Sequence, residues 1–367
     1  MIFEDSDLPP LYRRWLRESL GGMAPKERLA TCNECVMCAP AGTKATSRHF
    51  RPDAKCCTYW PRLANFSLGG VLSAGPQQGA EGIDRIRRQI ASSGTATPLG
   101  LERPLSQQVL FGNLGADAFG KSKDLLCPYF VSGKNLCSIY EHRNGVCSTW
   151  FCKYERGQLG LQFWQQLNEL LGAVEVELAH WCVLELGLDS KALRRLLFTA
   201  TNPGGTHPGR NSEGADEQDT RKQLWGQWFA REEEFYVECH RRVSAMTWKD
   251  VQTVAGVRSQ LIERLVLDSF AGLREPRPIP SRLRLGSFTM NPANDRGFEL
   301  STYSVYDGRR ISRAVFELLP RFDGREVTEV LAEIESTGVA LDEALIQLLW
   351  DLQILVPADP AKEEVGG

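Results

Sequence analysis

The chain has 367 residues, of which 42% are hydrophobic and 24% are charged, and its formal net charge is −3. This balance is typical of a globular protein with an ordinary apolar core, and it lacks the basic excess that marks bulk nucleic-acid binding. No run approaches the roughly 18 consecutive apolar residues that a membrane span requires. The first residues also lack the apolar run of a signal peptide. We therefore expect a cytoplasmic protein without a membrane span and without a nucleic-acid partner.

The 11 cysteines are distributed unevenly. Nine of them fall between Cys32 and Cys152, and only Cys182 and Cys239 lie beyond. In a reducing compartment such a cluster more often binds metal or performs redox chemistry than forms disulfides. The cysteine distribution therefore predicts a metal-binding region in the first half of the chain.

The first two thirds of the chain divide into two regions. Residues 1–155 form the predicted cysteine-rich metal-binding region, which begins with a short helix and continues, over residues 31–155, as loops with short elements. Residues 156–275 form a helical region. Apolar residues recur there every three or four positions, which indicates one long amphipathic helix: Leu161, Trp164, Leu167, Leu171, Val174, Leu178 and Trp181. Turn formers and charges predict a mobile loop over 202–220, followed by helices over 221–246 and 249–270.

The C-terminal region, residues 281–357, follows a proline-rich break at Pro276–Pro280. Arg284–Met290 and Phe298–Tyr306 alternate as two strands do. Three short helices are predicted after them: Ile311–Leu319, Arg325–Ser336 and Leu341–Leu352. A strand pair with three short helices is typical of a winged helix. The expected fold class is therefore mainly α, with a cysteine-rich metal-binding lobe, long helices and a small α+β winged-helix-like C-terminal domain.

The nine clustered cysteines are the candidate metal ligands, and they fall in three segments. Cys32, Cys35 and Cys38 share a two-residue spacing that lets thiolates converge from one tight loop, a pattern commoner around [4Fe–4S] clusters than around zinc. In the second segment, Cys56 and Cys57 are adjacent, and adjacent side chains of an extended backbone point apart. The third segment contributes four more: Cys127, Cys137, Cys147 and Cys152. Nine thiols exceed one four-ligand site, so two sites, or one site with reactive thiols, are both open.

This arrangement of CxxC, a CC pair, C-P-Y-F, C-S-I-Y-E-x-R and C-S-T-W resembles the YkgJ-type cysteine-cluster proteins over residues 31–155. The resemblance implies a zinc- or iron-chelating domain that contains an iron–sulfur cluster, with zinc or mononuclear iron as the alternative. The family start is compact, whereas 17 residues separate Cys38 from Cys56 here, which leaves the ligand subset open. Flagellin lysine methylases carry a similar cysteine pattern, so protein methylation is one chemistry that the resemblance suggests.

Arg143 is the arginine of the family's Tyr-Glu-x-Arg stretch, which follows Cys137, and it is a candidate for binding the cofactor. Its guanidinium could pair with a cluster thiolate or an anionic ligand, or form a structural salt bridge with Glu141 or Asp124. His49 and His142 are weaker candidate metal ligands. The sequence assigns no catalytic residue.

A G-x4-G-K-[ST] pattern runs from Gly115 to Ser122. A phosphate-binding loop of this kind needs a buried strand before it and a helix after it. Here it runs instead into Cys127-Pro128, without helical periodicity. We therefore expect a glycine-rich turn rather than a nucleotide site.

The segment from Phe298 to Val356 resembles the PqqD-like winged helix, which implies binding of a leader peptide by strand addition. From Pro276 to Pro357 the chain has nine Arg, no Lys and twelve acidic residues, which disfavours DNA. A capping or dimerising role is the alternative. The leading hypothesis is an iron–sulfur oxidoreductase or transferase that modifies a peptide or protein held by this domain. The competing hypotheses are a zinc-stapled, non-catalytic scaffold and a metal-handling or redox-sensing protein.

Overall fold

The computed structural model describes residues 2–3, 7–40, 42–46, 48–92, 94–201, 215–275, 277–294, 297–339 and 341–358. Within these residues the fold is mainly helical, as the sequence predicts. The ten helices before residue 275 are α1 Pro10–Leu20, α2 Asn65–Ser73, α3 Pro76–Ala91, α4 Leu105–Leu114, α5 Gly145–Thr149, α6 Gly157–Glu185, α7 Ser190–Thr201, α8 Ala215–Trp225, α9 Glu232–Ser244 and α10 Trp248–Arg274. Three short helices follow: α11 Arg313–Leu318, α12 Val327–Glu335 and α13 Glu343–Asp351.

The predicted long helix is confirmed as α6, which spans 29 residues. It lies at the centre of the main hydrophobic core, where α10 packs along it and Phe163 meets Phe270 with 5.9 Å between ring centroids. Helix α10 begins at a capping box formed by Thr247 and Asp250. It is interrupted at Gly256, whose φ of +73° and ψ of −173° are not helical, so the predicted helix over 249–270 has a break near its start.

The prediction of loops over residues 31–155 is wrong in part, because α2, α3 and α4 lie there. Helix α2 is buried on all sides, so its sequence shows no apolar stripe to indicate a helix. It packs closely on α9: a Cβ added to Gly69 would fall 1.8 Å from the carbonyl oxygen of Tyr236. In α2, therefore, the lack of a helical apolar period reflects the burial of every face of the helix and does not indicate a loop.

Short strands complete this part of the chain and form two pairs and one three-stranded sheet. They are β1 Ile2–Phe3, β2 Pro25–Lys26, β3 Leu63–Ala64, β4 Ala96–Thr97, β5 Gly100–Leu101, β6 Phe130–Val131 and β7 Leu136–Cys137. Strands β1 and β2 pair, β5 lies between β3 and β4, and β6 pairs with β7, all antiparallel. The β6–β7 pair is the one that positions a candidate metal ligand.

The C-terminal region has its own hydrophobic core and two three-stranded antiparallel sheets. Its strands are β8 Arg282–Leu285, β9 Thr289–Asn294, β10 Gly297–Ser301, β11 Arg309–Ser312, β12 Asp323–Glu326 and β13 Leu355–Pro357. Strand β8 lies between β12 and β13, and β10 lies between β9 and β11. The three predicted helices are confirmed within two residues at each end, whereas the predicted strand Arg284–Met290 is two strands of different sheets.

The predicted mobile loop over 202–220 lies mostly outside the described residues. Its last part is helical, because α8 begins at Ala215. This portion of the prediction is wrong: the acidic and polar residues of α8 do not show an apolar stripe, which is the signal that identifies a helix from sequence.

Within the residues described, no helix is long and apolar enough to cross a membrane.

Candidate metal centre

The first cysteine segment is irregular and is held by short-range backbone contacts. The backbone N–H of Cys38 donates to the carbonyl of Cys35 at 3.0 Å, and after burial the neighbouring Cys35 thiol is the next cause that raises the pKa of Cys38. Cys38 also forms an isolated parallel bridge with Phe50. Cys32 is exposed, whereas Cys35 and Cys38 are half-buried. This segment therefore forms the accessible edge of the thiol group.

The second segment contains a tight turn. Lys55 adopts a φ of +52°, and Cys57 donates its backbone N–H to the carbonyl of Ala54 at 3.1 Å. Adjacent side chains point apart only in extended backbone, and this turn departs from it, so the thiol of Cys57 lies close enough to raise the pKa of Cys56. The carbonyl of Cys57 accepts the backbone N–H of Cys127 at 2.8 Å. The second segment is thereby joined to the third.

The third segment positions its four cysteines by different means. Strand pairing sets Cys137 opposite Phe130, and the side chain of Asn144 caps α5 by accepting the backbone N–H of Cys147 at 3.0 Å. Cys127 and Cys152 are buried. All three segments thus contribute thiols to the interior of one region.

Electrostatic neighbours show that these thiols converge around Cys56. The pKa values of five other cysteine thiols are raised first by burial and then, in part, by the charge that Cys56 would carry as a thiolate: Cys32, Cys38, Cys137, Cys147 and Cys152. The pKa of Cys127 is raised by burial and by Cys147 and Cys137. Residues separated by up to 120 positions in the chain therefore lie within electrostatic range of one another.

Burial keeps these thiols protonated. It raises the pKa of Cys38 and that of Cys152 to about 12 each, and for Cys56 the hydrogen bond with Cys57 is the largest cause of the rise. A metal binds thiolates, so loading a metal here would release protons and supply the positive charge that a group of buried thiolates needs.

Arg143 lies beside this group. Its guanidinium donates to the carbonyls of Tyr140, Cys147 and Asp7 at 3.0, 3.1 and 2.8 Å, and its Cζ lies 3.7 Å from the centroid of the Tyr140 ring. Burial raises the pKa of the Cys137 and Cys147 thiols, and the positive charge of Arg143 opposes this rise. No ion pair joins Arg143 to Glu141 or Asp124, both of which lie in the described part of the chain. Its position is that of a counter-charge to the thiols.

Two further features fit a metal–sulfur group. Cysteine thiolates are the ligands of iron–sulfur clusters and of structural zinc, and the thiols here outnumber one four-ligand site. Tyr129 is buried, and its hydroxyl has no hydrogen-bond partner among the described residues. Burial, followed by the charges of Cys127 and Cys137, raises the pKa of its phenol, so an unsatisfied donor lies near two candidate ligands. The donor set and its burial thus fit such a group.

The thiols are not positioned to coordinate a metal ion without some rearrangement. In the described part of the chain, no three His, Cys, Asp or Glu side chains are positioned to hold one ion together. The convergence around Cys56 is therefore a proximity of thiols and not a finished coordination site.

The two candidate histidines lie elsewhere. His49 Nδ1 contacts the hydroxyl of Thr46 at 2.9 Å within its own turn. His142 packs against His240, with 5.9 Å between ring centroids, and burial, followed by the charge of His240, lowers its pKa to about 4. Both rings approach Gly70 of α2. Among the contacts that the structure describes, none joins His49 or His142 to one of the thiols.

The sequence does not point to Lys55 or Glu175 as residues of the site. The ammonium of Lys55 donates to the carbonyl oxygens of Cys32 and Asn135, a contact that depends on the left-handed turn at Lys55. Glu175 of α6 is half-buried and accepts hydrogen bonds from the hydroxyl of Tyr12 at 2.5 Å and the N–H of Gly145 at 2.6 Å. Neither contact has a local sequence signal, apart from the position of Lys55 directly before the cysteine pair.

The G-x4-G-K-[ST] stretch is a turn, as expected. It begins where α4 ends and contains only single helical turns, so it has neither the preceding strand nor the following helix of a phosphate loop. Gly120 has a φ of +75° and packs its backbone on Phe50, where an added Cβ would fall 2.2 Å from a ring carbon. Its glycine serves close packing beside the first cysteine segment.

No known protein-family model matches this chain, and comparisons with curated proteins and with solved structures find no significant match.

Proposed function

We propose that this chain is a cytoplasmic, cysteine-ligated metalloprotein that acts in the modification of a peptide or protein. The observation that carries the proposal is the convergence of thiols around Cys56 from three separate segments. Bringing this many thiols into one region exceeds what packing alone requires, and in a reducing compartment metal ligation is the chemistry that such a group serves.

The residues that would hold the metal are the candidate ligands: Cys32, Cys35, Cys38, Cys56, Cys57, Cys127, Cys137, Cys147 and Cys152. We favour an iron–sulfur cluster over zinc or mononuclear iron for two reasons. The thiols are numerous, and Cys32, Cys35 and Cys38 are three cysteines separated by two residues each, a spacing that suits clusters better. A bound cluster would supply electron transfer. The chain's own groups exclude water through burial, provide a counter-charge at Arg143 and direct a hydroxyl donor from Tyr129.

We further propose that residues 281–357 form a PqqD-like, winged-helix-like domain that binds the peptide. Support comes from its separate hydrophobic core and from its combination of short antiparallel strands with three short helices, in which β12 lies between α11 and α12 and β13 follows α13. Strand β11 pairs with β10 on one side, and Arg309 in this strand donates to the carbonyl of Tyr154, two residues after Cys152, at 2.6 Å. A peptide added alongside β11 would lie close to the thiol group.

The metal is tested by purifying the intact chain without oxygen and measuring iron, zinc, acid-labile sulfide and the visible spectrum. We expect near-equal iron and sulfide with absorption in the visible range. Cys56→Ser and Cys147→Ser should lose more than half of the metal per chain. Cys182→Ala is the matched control: this buried thiol lies on α6 outside the candidate ligands, so the variant should retain the metal.

A colourless protein with one or two tightly held zinc ions would contradict the iron–sulfur proposal. It would support the zinc-stapled scaffold, because a structural zinc has all its positions filled by protein and its removal unfolds the site. A protein that retains no metal and forms reversible disulfides among these cysteines would support the redox-sensing alternative.

Peptide binding is tested separately with a photo-crosslinking residue at Arg310, which is exposed in β11. The matched control carries the residue at Arg325, exposed in β12 of the other sheet. We expect one recurrent peptide to be crosslinked from position 310 and not from position 325. Equal crosslinking from both positions would contradict recognition at β11.

A further inference from the structure

A cleft of about 440 Å³ opens beside the accessible edge of the thiol group. Its described lining contains two thiols and two lysines but no carboxylate: Asn33, Cys35, Cys38, Pro52, Lys55, Lys134, Asn135 and Leu136. Clefts lined by one sign of charge concentrate ligands of the opposite sign. The composition of this lining therefore favours an anion close to Cys35 and Cys38.

Lys55 forms the inner end of the cleft. The residue is buried, with 8% of its surface exposed, and its ammonium donates to the carbonyls of Cys32 and Asn135. An ammonium has three N–H donors, and these contacts use two of them. Lys55 is thus a fixed positive charge with one donor left for a ligand.

Lys134 and Asn135 form the outer part of the cleft. The side chain of Lys134 is 72% exposed, and its ammonium lies 3.9 Å from Glu81, a weak surface pair that a ligand can displace. Asn135 adopts a φ of +53°, and its Oδ1 is buried without a hydrogen-bond partner in the described part of the chain. The cleft therefore offers two ammonium groups and one unsatisfied acceptor.

We propose that this cleft is a binding site through which a small anionic ligand reaches the thiol group. Its carboxylate or phosphate lies between Lys55 and Lys134, and an N–H or O–H of the same ligand reaches Asn135. The purpose of the site rests on the proposed function, since an anion bound here stands beside two half-buried candidate metal ligands, Cys35 and Cys38. The binding itself does not depend on a metal.

The test uses the full chain after removal of metal, without oxygen and without any added reducing agent. Two aryl disulfides modify thiols by the same exchange, in which a protein thiolate attacks one sulfur and an aryl thiolate leaves. One is the dianion 5,5′-dithiobis(2-nitrobenzoate), and the other is neutral 4,4′-dithiodipyridine. Mass spectrometry gives the rate at each cysteine, so Cys35 and Cys38 are followed apart from the exposed Cys32.

We expect the anionic reagent to be favoured at Cys35 and Cys38, and Lys134→Gln to reduce this preference about three- to tenfold at low ionic strength. Lys123→Gln is the matched control, because Lys123 is an exposed lysine outside the cleft that pairs with Asp53. It should leave the preference unchanged. A preference that is equal in the wild type and Lys134→Gln would overturn the proposal.

Direct binding is tested by protection. Glutarate, inorganic phosphate or an acidic tetrapeptide should slow the neutral reagent at Cys35 and Cys38 in the wild type but not in Lys134→Gln. The probe that protects at the lowest concentration distinguishes a free carboxylate, a phosphate and a peptide side chain as the source of the anion. Protection by none of them overturns the proposal. A protein that holds no iron–sulfur cluster as purified would fail the proposed function and could still pass this test.

Discussion

The buried carboxylate of Asp307 accepts a hydrogen bond from the backbone N–H of Tyr154, with 3.0 Å between Oδ2 and N. Arg309 pairs with Asp307 at 2.6 Å and donates to the carbonyl of Tyr154 at 2.6 Å. Both backbone groups of Tyr154 are thus bound by the C-terminal region, two residues after the last candidate ligand, Cys152. Any change in the thiol group that moves this segment is therefore transmitted directly to the C-terminal sheets.

Three more contacts strengthen this junction. Arg156 pairs with Asp351 at 2.7 Å, and both side chains are largely buried. Gly157 has a φ of +52° and lies so close to the carbonyl of Asp351 that an added Cβ would fall 2.1 Å from its oxygen. Trp150 and Tyr306 also meet, with 5.7 Å between ring centroids. The segment that carries the last two candidate ligands is therefore the main bridge between the two hydrophobic cores.

The first prediction concerns Asp307→Asn. Asparagine keeps an oxygen for the N–H of Tyr154 but leaves the charge of Arg309, whose side chain is 19% exposed, without its partner. Removing one member of a buried pair costs about 3–5 kcal/mol, so we expect a loss of about 3 kcal/mol in the free energy of unfolding by urea. Asp323→Asn, in the exposed pair with Arg325, should cost less than about 1 kcal/mol. Equal losses in the two variants would show that the Asp307 pair does not stabilise the junction.

The second prediction compares the two glycines of the G-x4-G-K-[ST] stretch. Both have positive φ, +66° at Gly115 and +75° at Gly120, but an added Cβ meets nothing within 4 Å at Gly115 and would overlap the Phe50 ring at Gly120. Gly115→Ala should therefore cost about 1–3 kcal/mol from backbone strain alone. Gly120→Ala should cost a further 1–3 kcal/mol, roughly, from overpacking. Urea unfolding measures both, and equal costs would mean that the ring moves aside freely.

How far the sequence predicts this fold depends on whether a helix faces solvent. Helix α6 is predicted from the sequence because its apolar residues recur with helical spacing from Leu161 to Trp181. Helix α2 was missed because residues on every face of it are buried, so no polar side marks its period. The C-terminal helices are predicted within two residues at each end, whereas a break over residues 286–288 divides one predicted strand between two sheets.

The candidate site shows a similar division. Cysteine spacing predicts which residues belong to the thiol group, but it cannot predict the turn at Lys55 that brings Cys56 and Cys57 together. The contacts of Asp307 with Tyr154, and of Glu175 with Tyr12, join residues 153 and 163 positions apart. Such pairs depend on the packing of whole helices and sheets, which local sequence patterns do not encode.

The third prediction tests the contact between α2 and α9. Gly69→Ala would place a Cβ 1.8 Å from the backbone oxygen of Tyr236, which cannot move without shifting α9. We expect a loss of about 2–3 kcal/mol in the free energy of unfolding. Gly172→Ala is the matched control within α6, since an added Cβ there meets nothing within 4 Å, and alanine should stabilise the helix by up to about 1 kcal/mol. Opposite signs are the expected result. A neutral Gly69→Ala would contradict the close approach of α2 to α9.

The fourth prediction concerns the pH dependence of Glu175. Burial raises the pKa of this carboxyl from 4.5 to about 7, although hydrogen bonds from Tyr12 and Gly145 oppose the rise. Between these pH values the unfolded chain has lost a proton that the folded chain keeps, so the free energy of unfolding falls as the pH rises. The stabilisation is complete below pH 4.5 or so and is lost as the pH passes through about 7. Its full size corresponds to about 3 kcal/mol.

Glu175→Gln removes this dependence, because glutamine is neutral at every pH and its Oε1 can accept from both Tyr12 and Gly145. At pH 5 the variant should match the wild type within about 1 kcal/mol, and at pH 8 it should be the more stable protein by up to about 3 kcal/mol. Other groups that titrate in this range, such as Glu27 with a pKa raised by burial to about 7, are shared by both proteins and cancel in the difference. Urea unfolding at the two pH values, in the same metal state, measures it. A difference between the two proteins that is the same at pH 5 and pH 8 would show that Glu175 is ionised in the folded chain throughout, and that its bonds with Tyr12 and Gly145 outweigh its burial.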